Sequence, residues 1–112
     1  MTKFLISFPA EAMQITDEEF PEVVADSHAV IEAAKAAGVY VFGGGLDESV
    51  APVLVSGDGS VSAEIYQGSF LNGGFTVLEV PTRLEALDWA RRIAQACRCP
   101  QELREFMFDP DS

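Results

Sequence analysis

The sequence predicts an α+β domain in which two helices cover one face of an antiparallel sheet. Two observations predict it. Apolar segments of strand length alternate with amphipathic segments of helix length, and a turn-rich stretch separates the two halves of the chain. The chain has 112 residues with no linker, repeat or low-complexity segment, so a single domain spanning residues 1–112 is expected.

The first half begins with a strand over residues 3–8, whose sequence KFLISF is rich in apolar residues. A capping box follows, because Thr16 stands three residues before Glu19. These signals predict a helix over residues 21–37. Gly38 directly follows the predicted helix and is expected to end it in the left-handed conformation.

The middle of the chain predicts strands and turns. The sequence VYVF predicts a second strand over residues 39–42. Residues 52–66 predict a hairpin whose turn lies near Asp58 and Gly59, since Asp-Gly is a strong hairpin-turn signal. The sequence FTVLEV then predicts a strand over residues 75–80.

A second capping box, Thr82 with Glu85, predicts a helix over residues 83–97. The sequence ELREFMF predicts a last strand over residues 102–108. The complete order is β-α-β, hairpin, β-α-β. This order is typical of the ferredoxin-like split βαβ fold, in which both helices lie on the same side of the sheet.

Apolar side chains on both faces of the predicted strands indicate a second packing surface. Strands 39–42, 75–80 and 102–108 are apolar on both sides, whereas two helices can cover only one side. An exposed apolar sheet face is a binding or assembly surface. We therefore expect a homodimer that forms through the helix-free face, with room between the two sheets for a small-molecule ligand.

Composition and charge exclude several other classes of function. The net charge of −11 disfavours partners with anionic surfaces, so neither a nucleic acid nor a membrane is expected. No apolar run approaches the roughly 20 residues of a membrane span, and a cytoplasmic location is the expectation. Cys97 and Cys99 fit that setting as free thiols. Two cysteines and one histidine make a poor tetrahedral set, so no metal and no cofactor are predicted.

Three consecutive glycines, residues 43–45, follow the second predicted strand. A phosphate-binding loop would need a helix directly after them. Here Leu46, Asp47 and Glu48 follow instead, and the two acidic residues repel anions. Two interpretations remain: a bent strand end, or a close approach of the backbone at Gly44 to a ligand.

Two segments carry a resemblance to a known family. The segments HAVIEAAKAAGVYVFGGGL and GGFTVLEVPTRLEALDWARRIA resemble the YCII-related family, including its DGPF-type branch. The resemblance implies a dimeric α+β barrel of ferredoxin-like subunits. Related proteins include a dehydrochlorinase, some members are associated with sigma factors, and a His–Asp pair has been suggested as catalytic. The chain lacks the tetrapeptide Asp-Gly-Pro-Phe, and Ser27, one residue before His28, stands at the position of the family histidine.

The sequence is therefore compatible with two functions. The first is a small-molecule-binding or accessory module, regulatory in role, with a ligand pocket. The second is a lyase or isomerase, similar to the dehydrochlorinase, that uses His28 as a proton-transfer group helped by Asp47. A structural alternative for His28 is an i, i+4 pair with Glu32. The candidate pocket residues are Ser27, Gly44, Tyr66 and Phe70.

Overall fold

The computed structural model describes all 112 residues and has an α+β architecture. Its elements are, in chain order, β1 (Thr2–Phe8), α1 (Phe20–Ala36), β2 (Tyr40–Gly45), β3 (Leu54–Val55), β4 (Val61–Ser62), β5 (Gly74–Val80), α2 (Arg83–Cys97) and β6 (Glu102–Glu105). A 3-10 helix at Ala10–Ala12 lies between β1 and α1. Neither α-helix is long and apolar enough to cross a membrane.

The main sheet has four strands in the order β2-β5-β1-β6, and every neighbouring pair is antiparallel. In the middle of the sheet, Leu5 lies opposite Val77 on one side and Arg104 on the other. The short strands β3 and β4 pair only with each other and form a separate hairpin.

Capping boxes stand before both helices, directly at the start of α2 and one turn ahead of α1. The backbone N–H of Glu19 donates to the Thr16 hydroxyl oxygen at 3.2 Å, and the Thr16 N–H donates to the Glu19 carboxylate at 3.3 Å. This capping box closes the turn that leads into α1. The Thr82 hydroxyl oxygen accepts from the Glu85 N–H at 3.2 Å and caps α2. Gly38 follows α1 with φ of +74°, so the predicted capping boxes and glycine stop are confirmed.

The core lies between the two helices and one face of the sheet. Ile6 and Leu78 pack against Ala34 of α1 and Ala90 of α2. Phe4 and Val80 form a second cluster with Ala86 of α2. Alternate residues of β1 and β5 supply these contacts, so both helices lie on the same side of the sheet.

Three predicted strand boundaries are wrong. Strand β2 covers Tyr40–Gly45 and not residues 39–42, so the glycines belong to the strand, with a register irregularity between Tyr40 and Phe42. The predicted hairpin has its turn at Asp58 and Gly59, but its strands are only two residues each. These strands stay short because the hairpin lies apart from the main sheet, where no third strand extends the pairing.

The last strand is also shorter than predicted. Strand β6 ends at Glu105, and residues 106–108 leave the sheet. The last bond joins the Phe106 N–H to the Lys3 carbonyl at 3.0 Å. Strand β1 continues to Thr2, which the register would place opposite Met107, so pairing stops before β1 ends. Met107 and Phe108 are consequently 93% and 87% exposed.

The chain exposes more surface than a compact monomer would. Its accessible surface is 7835 Å², against about 6,000 Å² for a monomeric protein of this mass. The radius of gyration is 15.6 Å, whereas about 13 Å is typical of a domain of this length. Residues 46–72 contain many of the exposed large apolar side chains, and Phe42 on the sheet is also exposed.

Candidate functional site

Neither helix covers the opposite face of the sheet, which combines apolar with charged side chains. We call it the open face, and its outward side chains are Lys3, Leu5, Ser7, Phe42, Phe75, Val77, Glu79, Glu102 and Arg104. These residues alternate with the core residues along their strands, which places them on the opposite side. Phe42 is 59% exposed. A folded monomer rarely leaves such a surface in contact with water.

A cavity of about 290 Å³ lies at one end of the open face. It is lined by Met1, Thr2, Lys3, Val77, Glu79, Phe106, Met107, Phe108, Asp109 and Ser112. The sheet forms its floor, and the segment that leaves β6 forms a wall. The cavity exists because residues 106–108 turn away from the sheet and carry their side chains over its end.

One ion pair stands in this cavity. The Lys3 ammonium lies 3.6 Å from the Glu79 carboxylate, and both side chains are about 40% exposed. An exposed pair of this kind contributes little to stability, so either charge is free to exchange its partner for a ligand. The other side walls are mainly apolar. The arrangement suits a small molecule with an apolar body and one charged or hydrogen-bonding end.

Sequence reasoning missed this cavity. It depends on the end of β6, which the sequence predicted to continue to residue 108. The available signal is the run Phe106-Met107-Phe108 followed by Asp109-Pro110. The proline just after these three large apolar residues favours a segment that leaves the sheet.

A second depression of about 340 Å³ lies between the helices, and it is more open. Its charged groups already have partners. Arg98 donates to the Asp26 carboxylate at 2.8 Å, and the Arg92 guanidinium lies 4.4 Å from the centre of the Trp89 ring. The bond between Arg98 and Asp26 joins the two helices, whereas the contact between Arg92 and Trp89 stays within α2. This groove is therefore part of the packing of the two helices.

The proposed catalytic pair is not joined in the structure. His28 is exposed on α1 and forms neither an ion pair nor a side-chain hydrogen bond. Asp47 is exposed after β2, and its carboxylate accepts from the Ser49 hydroxyl at 2.6 Å and the Ser49 N–H at 2.9 Å. The Ser49 hydroxyl, and secondly the Ser49 N–H, lower the pKa of Asp47. The expected pairing of His28 with Glu32 is wrong, because Glu32 pairs with Lys35 at 3.4 Å.

The other predicted pocket residues lie in three different places. The hydroxyl of Ser27, half-buried on α1, donates to the Val24 carbonyl at 3.0 Å. Gly44 lies on β2 opposite Phe75. Tyr66 and Phe70 are 78% and 68% exposed in the connection between β4 and β5. Their role in a pocket stays a prediction.

The glycines at positions 43–45 continue a strand, and no helix follows them. A Cβ at Gly43 would lie 3.0 Å from the Phe75 carbonyl oxygen, whereas one at Gly44 would meet nothing within 4 Å. The close approach is therefore between two strands at Gly43. This geometry agrees with the strand interpretation of the glycine run.

The two cysteines are buried and unlinked. Burial raises the pKa of the Cys97 thiol to about 11, so the thiol stays protonated and unreactive near neutral pH. No group of three or more His, Cys, Asp and Glu side chains is arranged to hold a metal ion. The cysteines therefore belong to the packing of the C-terminal end of α2.

Comparison with known families and with curated proteins finds no match for this chain. The chain is an α+β protein in which one face of the sheet is not covered by helices. A cavity that contains one ion pair lies at one end of this face.

Proposed function

We propose that the chain is a small-molecule-binding module, accessory or regulatory in role, of the YCII-related type. Two ferredoxin-like subunits pack open face to open face as a dimeric α+β barrel, and the ligand lies between the sheets. The observation that carries this proposal is the open face with its cavity. The strand order β2-β5-β1-β6, with antiparallel neighbours, supports the ferredoxin-like description.

The area of exposed surface supports the homodimer. The accessible surface of 7835 Å² exceeds that of a typical monomer of this mass by roughly 1,800 Å². A stable obligate interface removes about 1,000 Å² or more from each partner. The excess is therefore large enough to supply such an interface. Because the same face serves both partners, the dimer has two-fold symmetry.

The lining of the cavity supports a particular class of ligand. Val77 and Phe106 offer apolar contacts, and Lys3 offers a cation beside Glu79. A flat apolar body would rest on the sheet while a charged end exchanges with one member of the pair formed by Lys3 and Glu79. A volume of about 290 Å³ fits a molecule of one or two rings.

Binding is favoured over the lyase or isomerase alternative by the surroundings of His28. A general base needs a position within hydrogen-bond reach of the reacting proton, in a site that excludes water. His28 is exposed, and neither Asp47 nor Glu32 orients it. The cavity on the open face contains neither of the proposed catalytic residues.

Two measurements on the purified protein test this proposal. Sedimentation velocity at moderate salt and low micromolar concentration is expected to give about twice the monomer mass of 12.1 kDa. Native mass spectrometry of the same sample is expected to detect a retained small molecule. A folded monomer at these concentrations would contradict the barrel.

Two fluorescent probes test the ligand class. Anilinonaphthalene sulfonate and phenylnaphthylamine share an apolar body, and only the first carries an anionic group. We expect Phe106→Ser to weaken the binding of both by about tenfold, and Lys3→Met to weaken only the sulfonate. The control is Leu84→Ser, since Leu84 is 78% exposed on the helix side. Equal binding of both probes to all variants would exclude the cavity as the site.

A further inference from the structure

We propose that residues 46–72 form an arm that reaches across the dimer and closes the partner's cavity. The partner in this contact is a second copy of the chain, so the inference rests on the proposed function. The site on each open face is then incomplete without Tyr66 and Phe70 of the other copy.

The arm is apolar and has little to pack against in its own chain. Its exposed large apolar side chains are Leu46, Val50, Val53, Val55, Val61, Ile65, Tyr66, Phe70 and Leu71. The hairpin of β3 and β4 makes no substantial contact with either helix or with the main sheet. An apolar surface this large on a monomer marks an interaction site.

The base of the arm is held firmly. The Leu46 N–H donates to the Gly73 carbonyl at 2.7 Å, which joins the two ends of the arm. Next to it, the side-chain oxygen of Asn72 accepts from the Ala10 N–H at 3.0 Å. The arm therefore leaves the sheet at a fixed place, the end of β2 and the start of β5.

This base and the cavity lie at opposite ends of the sheet. Gly74, beside the base, pairs with Phe8 at the end of β1, whereas Glu79 in the cavity pairs with Lys3 at its start. Consider two open faces that meet about a two-fold axis perpendicular to the strands. The arm end of one sheet then lies opposite the cavity end of the other. Each arm then stands over the cavity end of the partner sheet. If the two-fold axis lay parallel to the strands, the arms of the two copies would lie at the same end of the dimer.

Charge selects between these two arrangements. The arm carries Asp47, Glu48, Asp58 and Glu64 and no lysine or arginine. Arm against arm would bring these carboxylates together without a cation, which opposes association. The crossed arrangement brings them over a partner surface of mixed charge, on which Lys3 pairs with Glu79 and Arg104 with Glu102. Cations are then within reach of the arm, whereas arm against arm offers none.

The arm is long enough for this contact. Phe70 and Tyr66 lie three and seven residues before Gly73, so an extended chain lets them reach up to about 10 and 24 Å from the base of the arm. Packed sheets lie about 10 Å apart face to face. In the crossed arrangement, the arm can therefore place Tyr66 and Phe70 against residues 106–108 of the other copy.

Photocrosslinking between isotopically light and heavy copies tests the contact. Benzoylphenylalanine replaces Phe70 in the full chain, light and heavy proteins are mixed and re-equilibrated, and the irradiated sample is digested with trypsin. We expect mixed-isotope crosslinks between the peptide of residues 36–83 and that of residues 105–112. Benzoylphenylalanine in place of Leu84, equally exposed but on the helix side, is the control and is expected to give none.

Each outcome has a separate meaning. Mixed-isotope crosslinks between two copies of peptide 36–83 would show arm against arm and overturn the inference. A dimer that crosslinks only within single copies, or not at all, would also overturn it while leaving the proposed barrel intact. A monomer by sedimentation would remove both the inference and the dimer on which it rests.

Discussion

Phe42 and Phe75 lie side by side on the open face, with ring centres 5.7 Å apart and planes inclined by 48°. They come from neighbouring strands, and the pair is worth about 0.5–1.5 kcal/mol beyond the area it buries. Phe42 nevertheless keeps 59% of its surface exposed. The outer surface of this aromatic pair therefore has no packing partner within the chain.

We expect Phe42→Glu to raise the dissociation constant of the proposed dimer by about 100-fold or more, because it would bury a carboxylate in an apolar interface. Sedimentation over a concentration series measures the constant. Leu84→Glu adds the same charge on the helix side, and it is expected to leave the constant unchanged. If both variants dissociate equally, net charge and not the open face controls assembly.

Gly73 is a position that tolerates no side chain. A Cβ there would overlap the Phe8 carbonyl oxygen and lie 2.8 Å from the Ala10 backbone nitrogen. Backbone atoms cannot move aside as a side chain can, so Gly73→Ala is expected to lower the free energy of unfolding by more than about 2 kcal/mol. Gly44→Ala, which meets nothing within 4 Å, is expected to change it by less than about 1 kcal/mol. Urea denaturation of both variants provides the comparison, and equal midpoints would contradict it.

The sequence predicted the helices and the central strands because their signals are local. The residues that cap a helix, such as Thr82 and Glu85, contact each other across three positions whatever the rest of the chain does. Residue type is less informative at the ends of a helix. The large apolar side chain of Phe20 at the start of α1 is 57% exposed, while Val23 is buried. One turn at the end of a helix is too short for the average pattern to decide which side chain points inward.

The cavity could not be predicted in the same way, because it depends on where strand pairing stops. Strand β6 ends at Glu105 although β1 offers partners as far as Thr2, and the composition of residues 102–108 suits a strand throughout. The candidate residues on α1 and in the arm were chosen by residue type and by resemblance. The structure brings Ser27, Gly44 and Phe70 into no common pocket within the chain.

Arg98 ends α2 in a conformation that normally favours glycine, with φ of +61°. Its side chain donates to the carbonyls of Gln95 and Ala96 at 2.9 and 2.8 Å, and to the Asp26 carboxylate of α1 at 2.8 Å. The bond with Asp26 is the largest cause of the raised pKa of Arg98. One side chain thus both caps α2 and ties it to α1.

We expect Arg98→Ala to melt several degrees below the wild type, because it loses these bonds and keeps the strained backbone. Arg98→Gly loses the same bonds but adopts the left-handed conformation freely, so its melting temperature is expected to lie above that of Arg98→Ala. Asp26→Ala is the control that removes the bond with Asp26 and leaves the ion pair of Arg98 with Glu22 at 3.7 Å. Thermal denaturation followed by circular dichroism gives the order, and a glycine variant that melts below the alanine variant would refute the backbone argument.

Cys97 predicts a loss of stability at alkaline pH. Desolvation raises the pKa of its thiol from 9.0 to about 11, with the neighbouring Cys99 as the second cause. The folded state therefore favours the protonated thiol, whereas the unfolded chain releases the proton near pH 9. The contribution of the protonated Cys97 thiol to the free energy of unfolding is fully present below pH 9, and it is lost as the pH rises through about 11.

Urea denaturation at pH 8.5 and 10.5 tests this effect, with the wild type compared with Cys97→Ala. Other groups that titrate in this range are common to both proteins, so the difference between their pH slopes isolates the thiol. We expect the wild type to lose more stability than the variant between the two pH values. Alanine also leaves a small void, which lowers the stability of the variant at both values alike. Parallel loss of stability in the two proteins would mean that Cys97 ionises in the folded state as readily as in the unfolded chain.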